Sequence, residues 1–315
     1  MTDPAGPLPD GRQPAHSPAA AYGLLAAVVC IWGINWPFMK MGLEWLPAFW
    51  FNALRLGLGA ATLFVLLAAL RRLRVPRRHD WPMIAVVGTI QIGLFMALVH
   101  WGLQYVPAGR AALLAYTTPI WVVPGAMLFL GERLTVLRAL GLLAGLSGLA
   151  VLFNPLSLDW TDGQVVKGNL ILLGAALCWA TGIVFVKRHV WRCTALDAVP
   201  WQLLIAATIG LAIALAADDG RAIDWNVRSI LILLYNGSLA TALTVWAVIS
   251  INLALPAVTT SLGMLGVPAG GLLLSVLILG ESLTHSLLLG LVLIVGGVAT
   301  VAWSDRRGTL GTTVT

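Results

Sequence analysis

Charge is what this sequence has least of. Only 10% of its 315 residues are charged, with 13 acids against 19 lysines and arginines. The deficit comes with 59% hydrophobic residues and a mean hydropathy of +0.90. That combination excludes a soluble globular protein and indicates an integral membrane protein. Cysteine is nearly absent as well. Cys30, Cys178 and Cys193 lie in or beside apolar stretches and make no CxxC pair, so a disulfide framework has no basis and metal binding no support. Catalytic signatures are missing too: there is no HExxH, GxSxG or Walker A sequence and no run of metal ligands. The sequence therefore predicts no enzyme, no cofactor and no resident metal. An ATP-driven pump would need a separate subunit.

What the chain does have is length in its apolar runs. Crossing roughly 30 Å of hydrocarbon takes about 20 residues, and ten runs qualify. They begin near Ala20, Ala48, Pro82, Ala108, Thr135, Gly168, Ala198, Arg228, Pro256 and Thr284. They end near Met41, Leu70, Gly102, Leu130, Phe153, Val190, Ala217, Ser250, Leu279 and Trp303. Residues 1–19, with Pro4, Pro7, Pro9, Pro14 and Pro18, read as a disordered tail without the marks of a signal peptide, and residues 305–315 as a short polar tail.

Basic residues set the expected orientation. Arg12, Arg71, Arg72, Arg74, Arg77, Arg78, Arg133, Arg138, Lys187, Arg188, Arg192, Arg306 and Arg307 fall on one side, which the rule makes cytoplasmic along with both termini. The other side holds Lys40, Arg110, Lys167, Arg221 and Arg228, and the acids Glu44, Asp159, Asp162, Asp218, Asp219 and Asp224. The pI of 9.7 follows from this bias and from contact with anionic lipid, and gives no argument for nucleic acid.

The chain also repeats itself. A slide of 149 residues lays Pro107 on Pro256, Pro119 on Pro268, Gly131-Glu132 on Gly280-Glu281, Gly141 on Gly290 and Gly148 on Gly297. A slide of 147 lays Trp32, Phe38 and Lys40 on Trp179, Phe185 and Lys187. Chance similarity between apolar helices would match Leu and Val, whereas here Pro, Gly, Glu and Lys match. Two five-helix halves, 20–153 and 168–304, are joined by an external loop, 154–167. Because five is odd, the second half enters from the opposite side, so the repeat is inverted, which in membranes is chiefly a transporter plan. The fold class is an all-α polytopic membrane protein of ten transmembrane helices in two inverted repeats.

Trp32-Gly33-Ile34-Asn35 in helix 1, Arg55 in helix 2, and Pro119 and Pro268 with their Gly-Glu pairs carry a further likeness. At these spacings the chain resembles the drug/metabolite transporter superfamily in its ten-helix EamA branch, and within it bacterial amino-acid exporters, especially the aromatic type. The resemblance implies a multi-pass protein of the bacterial inner membrane that exports small metabolites by alternating access. The second half departs from the pattern: Ala180-Thr181 follows Trp179, and Gln202 stands where Arg55 would.

Candidate site residues are polar or aromatic groups inside the spans, where unpaired polarity is costly. Asn35 and Trp36 share a helix 1 face with Trp32 and Met39, as cavity wall or packed seam; Trp179 is the repeat mate of Trp32. Gln91 lies near the middle of helix 3. His100, Trp101 and Tyr105 lie toward its outer end, as a polar cluster or an aromatic belt. On helix 4, Arg110, Leu114, Thr117 and Trp121 fall at i, i+4, i+7 and i+11, one face suited to a zwitterion with an aromatic tail, unless Arg110 snorkels to headgroups. Tyr235, Asn236 and Trp246 are the second-half candidates. Pro119 and Pro268 read as mid-helix kinks, hinges or packing features. Glu132 and Glu281 each precede a helix and read as caps of its free amides, or as gate groups.

The expected function is a secondary transporter or facilitator exporting neutral or aromatic amino acids. Alternatives are nucleosides or drug-like compounds, and less readily a membrane-embedded sensor or enzyme. Expected partners are the lipid bilayer and a small-molecule substrate, with no nucleic acid and no second subunit. No Asp or Glu lies mid-span to relay protons, which predicts passive transport.

Overall fold

The computed structural model describes residues 18–132, 134–153, 161–217, 220–268 and 285–311. The N-terminal tail to residue 17, part of the 154–167 loop and Glu281 lie outside them. The helices are α1 Pro18–Gly42, α2 Ala48–Ala69 and α3 Trp81–Gly102. α4 comes in two pieces, Ala108–Ala115 and Thr118–Leu130, and α5 is Val136–Phe153. The second half has α6 Gly163–Arg188, α7 Ala195–Ala216, α8 Val227–Ala254, α9 Ala257–Gly263 and α10 His285–Gly311. Among the described residues, seven helices are long and apolar enough to cross a membrane, and three shorter apolar ones accompany them. α10 runs past Trp303 through Asp305, Arg306 and Arg307, where a polar tail was expected. A helix accepts such residues once it has left hydrocarbon.

Polar chemistry starts several of these helices. Thr194 and Asp197 form a capping box on α7, Asn226 and Ser229 one on α8, and the Asp162 carboxylate accepts the Gln164 amide of α6. Composition then sorts the faces. Lipid is as apolar as leucine, so helix contacts select small and polar side chains. On α2, Asn52 and Arg55 are buried, whereas Val65 and Leu66 are exposed.

The halves pack around an approximate two-fold axis. A Cβ at Gly141 of α5 would lie 2.7 Å from the Gly297 carbonyl of α10, and one at Gly148 would lie 2.7 Å from the Gly290 carbonyl. Repeat mates thus cross-pair, each glycine meeting the mate of the other, as a two-fold contact requires. The same exchange relates Gly88 of α3, set on Ile205 of α7, to Gly237 of α8, set on Leu58 of α2. α3 and α8 also share a π-helical stretch, Val87–Leu94 in one and Tyr235–Leu243 in the other. The inverted five-helix repeat is therefore visible in three dimensions.

α4 breaks near its middle, at Tyr116–Thr117, and α9 gives way to a turn at Met264–Leu265. The break falls where Pro119, which cannot donate to the Ala115 carbonyl, is expected to interrupt the helix, and Pro119 occupies the first turn of the second α4 piece, where proline loses no helical bond. Pro268 follows the turn that ends α9, at the edge of the described residues. Threonine hydroxyls take the carbonyls the α4 break releases: Thr117 donates to Leu114 at 2.7 Å and Thr118 to Ala115 at 2.9 Å.

The Gly131-Glu132 corner also differs from expectation. Gly131 closes α4 at φ 66°, a left-handed conformation that favours glycine. Thr135, not Glu132, accepts the α5 amide of Arg138, at 3.3 Å. Glu132 crosses to the other half, where its Oε1 accepts the Ala257 amide at the start of α9, at 2.9 Å. The carboxylate caps a helix 125 positions away, and no local pattern records that. Glu132→Ala removes both bond and dipole partner and should lower stability by about 1–2 kcal/mol; Glu132→Gln should lose about half of that. Thermal unfolding of the three proteins in detergent measures the difference.

Candidate functional site

A small chamber of about 20 Å³ is walled by residues of the first half, with room for about one water. α1 supplies Trp32, Asn35, Trp36 and Met39, one stripe at helical spacing; α2 supplies Arg55; α3 supplies Phe95, Met96 and Val99; and Tyr116 enters from the α4 break. Apart from half-buried Phe95 these side chains are buried, so the chamber is closed. The lining is mainly aromatic and aliphatic, with few polar groups. Trp36 and Tyr116 meet edge to face at 6.2 Å, and the Trp36 indole donates to the Tyr116 hydroxyl.

Arg55 dominates the site's electrostatics. It is 1% exposed in a membrane-spanning helix. Its Nε donates to the Thr241 hydroxyl at 2.7 Å, one terminal nitrogen to the Ala240 carbonyl at 3.3 Å, and the other to the Met39 sulfur at 2.8 Å. None of these acceptors is charged. A guanidinium has five N–H donors, so two remain. A buried cation without a counter-charge is costly by several kcal/mol. Ala240 is the hub that holds it: its carbonyl also accepts Trp32 Nε1 at 3.0 Å and the Thr244 hydroxyl at 2.7 Å. The π-helical turn of α8 offers that carbonyl, since wide turns re-aim backbone groups and recur at functional sites.

Of the residues singled out in the sequence, Asn35 and Trp36 face the chamber, and the Asn35 Oδ1 has no partner within the protein. Trp179 stands behind the wall, edge-on to Trp32 at 5.5 Å and tilted against Phe95 at 4.6 Å. Tyr235 donates to the Ile31 carbonyl at 2.8 Å and anchors α1 from behind. Asn236 donates to Ile232, leaving its Oδ1 unpartnered. Trp246 packs at the junction of the two core clusters. Gln91 packs against Gly182 of α6, with neither amide atom partnered. Buried polar atoms of this kind are usually satisfied by protein or water, so Asn35, Gln91 and Asn236 mark where water or a ligand is needed.

The helix 4 face does not survive. Counting 3.6 residues per turn fails across the break, and Trp121, 36% exposed, lines a lateral groove between α4 and α6 with Leu177 and Arg188. Thr117 spends its hydroxyl on the break itself. Arg110 does not line the chamber. Trp101 sits at the far end of α3, where it donates to Tyr105 at 3.2 Å and Lys167 lies 5.5 Å from its ring. Lys167 also donates to the Tyr105 hydroxyl at 2.9 Å, which holds that phenol below its usual range. His100 is buried on the Met96 carbonyl and edge-on to Phe51. What the candidate list omitted is Arg55, together with Thr241 and Tyr116. The signal for Arg55 was present, since an ionisable residue inside a span is a functional candidate by default; its partners on α8 had none.

Comparison with known proteins follows the same plan. The profile of the EamA-like transporter family matches twice, over residues 19–154 and 166–303. An uncharacterized transporter of Bacillus subtilis, YoaV, is 30% identical over 286 residues, 90% of this chain and 97% of that protein. A probable terminal-alkyne amino-acid exporter of Streptantibioticus cattleyicolor is 28% identical over 93% of this chain and 95% of its own. A crystal structure 19% identical in sequence superposes with a TM-score of 0.73, covering 89% of this chain and 97% of the other, a likeness of fold.

Proposed function

Because this chain belongs to the EamA-like transporter family, we propose that it exports small carboxylate-bearing amphipathic metabolites, neutral and aromatic amino acids above all, through the central chamber. The observation that carries this reading is Arg55: buried, uncompensated by any acid among the described residues, and holding two unused donors at a chamber wall. A carboxylate supplies the missing charge in bidentate geometry. Trp32, Trp36 and Tyr116 offer edges and faces for an apolar or aromatic tail, and Asn35 a free acceptor for an ammonium. The amino-acid exporter among its relatives supports the same class.

Transport proceeds by rocking the halves about the α2–α7 and α5–α10 seams, which the two-fold exchanges with themselves, so the chamber opens to each side in turn. No mid-span carboxylate is available to relay protons, so flux follows the substrate gradient in the cytoplasmic membrane of a bacterium, with both termini inside.

The test is uptake of labelled phenylalanine into proteoliposomes holding only this protein, challenged with unlabelled amino acids, their amides and nucleosides. Amino acids should compete and amides, which lack the carboxylate, should not; competition by nucleosides alone would overturn the reading. Trp36→Ala should weaken competition by aromatic amino acids about 3–10-fold while leaving alanine nearly unchanged, since one ring–ring contact contributes about 0.5–1.5 kcal/mol.

A further inference from the structure

We propose that His79, Asp80 and His189 form a binding site for a divalent first-row transition metal of the zinc class, tying the two halves together on the arginine-rich side. The sequence predicted no metal, because these ligands lie 109 positions apart along the chain; the fold assembles them. Asp80 stands at the N-cap of α3 with its side chain fully buried. Its Oδ1 accepts His189 Nε2 at 2.9 Å and His79 Nδ1 at 3.1 Å. One ligand atom from each residue falls within 4.8 Å of the others, close enough for small side-chain shifts to admit one ion between them.

The surroundings fix the set. The imidazoles stack at 4.9 Å and 27°, and Trp191 meets His189 edge-on at 4.9 Å. The Arg192 amide reaches both Asp80 oxygens at 3.2 Å, an outer-shell bond that orients the carboxylate. Although burial pulls the Asp80 carboxyl up, hydrogen bonds from His189 and His79 more than offset it and keep the group ionised. The Cys193 thiol also bonds this carboxylate, placing sulfur at the rim. His79 is 39% exposed, which gives an ion a way in.

Ligand chemistry selects the metal. Two imidazoles and one carboxylate suit Zn²⁺ and its first-row neighbours, with an open position for water, whereas Mg²⁺ and Ca²⁺ take oxygen sets. The flanking Arg77, Arg78 and Arg188 disfavour any cation held by charge alone, so only strong imidazole ligation suffices. Each neutral imidazole moves its proton to its other ring nitrogen and ligates through the nitrogen facing Asp80, with no redox change and no net proton release. The site is no by-product of the duplication. The two-fold-related corner, residues 42–47 and 220–228, holds Glu44 and Asp224 but no histidine. Because His79 and Asp80 precede α3 and His189 follows α6, the ion joins one half to the other.

Purified protein carrying no histidine tag is titrated with Co²⁺, read by its visible absorption, and with Zn²⁺ against a chromophoric chelator. Expected are one ion per chain, a Zn²⁺-dependent rise in thermal unfolding temperature, and loss of affinity by about 100-fold or more in His79→Ala and in His189→Gln, since even outer-shell losses reach roughly 10–100-fold. His79 is partly solvent-exposed, so its substitution leaves a folded protein whose metal-free unfolding temperature falls only by the loss of one hydrogen bond and one ring contact. Unchanged affinity in His79→Ala, or no saturable binding in the parent, overturns the proposal. Neither readout requires flux, so the result is independent of the transport assignment.

Discussion

Arg55→Met reduces substrate flux in proteoliposomes by about 100-fold while the protein unfolds at the same temperature or a higher one. The two halves of this expectation come from one fact, a buried guanidinium whose acceptors, Thr241, Ala240 and Met39, are all neutral. Two charge-assisted hydrogen bonds to a carboxylate contribute about 3 kcal/mol together, or a factor of about 100 in binding. Removing the cation also removes its desolvation penalty, and replacing buried charge with an apolar side chain of similar volume is often neutral or stabilising. Methionine fills the space beside Met39. Arg55→Lys retains the charge but not the planar fork, so an intermediate loss of about 10-fold is expected. Flux measured alongside thermal unfolding separates the roles: a variant that loses both together would make Arg55 a structural tie between α2 and α8, and the carboxylate anchor would have to lie elsewhere.

The second large effect is on stability. Gly297→Ala places a Cβ 2.5 Å from the Gly141 carbonyl and 2.8 Å from the Gly145 nitrogen, and Gly141→Ala places one 2.7 Å from the Gly297 carbonyl. Backbone cannot yield as a side-chain tip can, so α5 and α10 must move apart along the whole seam. Each substitution should destabilise by about 1–3 kcal/mol, and the double variant by less than the sum, because both relieve one crossing. Gly145→Ala meets the Leu265 Cδ1, the far end of a flexible chain, and should be milder. Gly57→Ala meets nothing within 4 Å and should gain about 0.5–1 kcal/mol from helix propensity alone. Thermal unfolding of the five variants in one detergent ranks them; equal effects at Gly57 and Gly297 would remove close packing as the reason for the glycines.

What could be read from the chain was whatever repeats along one axis. The α1 stripe of Trp32, Asn35, Trp36 and Met39 is periodic, and the structure lays it along the chamber. The helix 4 stripe looked as regular, yet the break at Tyr116–Thr117 turns Trp121 toward lipid. A π-helical turn leaves little mark in composition, because the residues that form it also form α-helix; the break is marked by Pro119, but the change of face beyond it is not. Tyr116 gains its place from the same break.

By itself, the sequence determined that this chain spans a membrane, that it does so as ten apolar segments, and that five of them were built twice in opposite senses. These properties follow from hydropathy, length and self-similarity, each of which is a sum or correlation along the chain. Tertiary structure decided which polar groups meet. It set Arg55 under Thr241 and Ala240, sent Glu132 to α9 instead of α5, and gathered His79, Asp80 and His189 from two halves. The physical reason is the solvent: lipid is as apolar as a leucine-rich interior, so hydropathy cannot tell an outward face from an inward one. Only packing of small residues and pairing of rare polar groups can do so, and both are decided between helices.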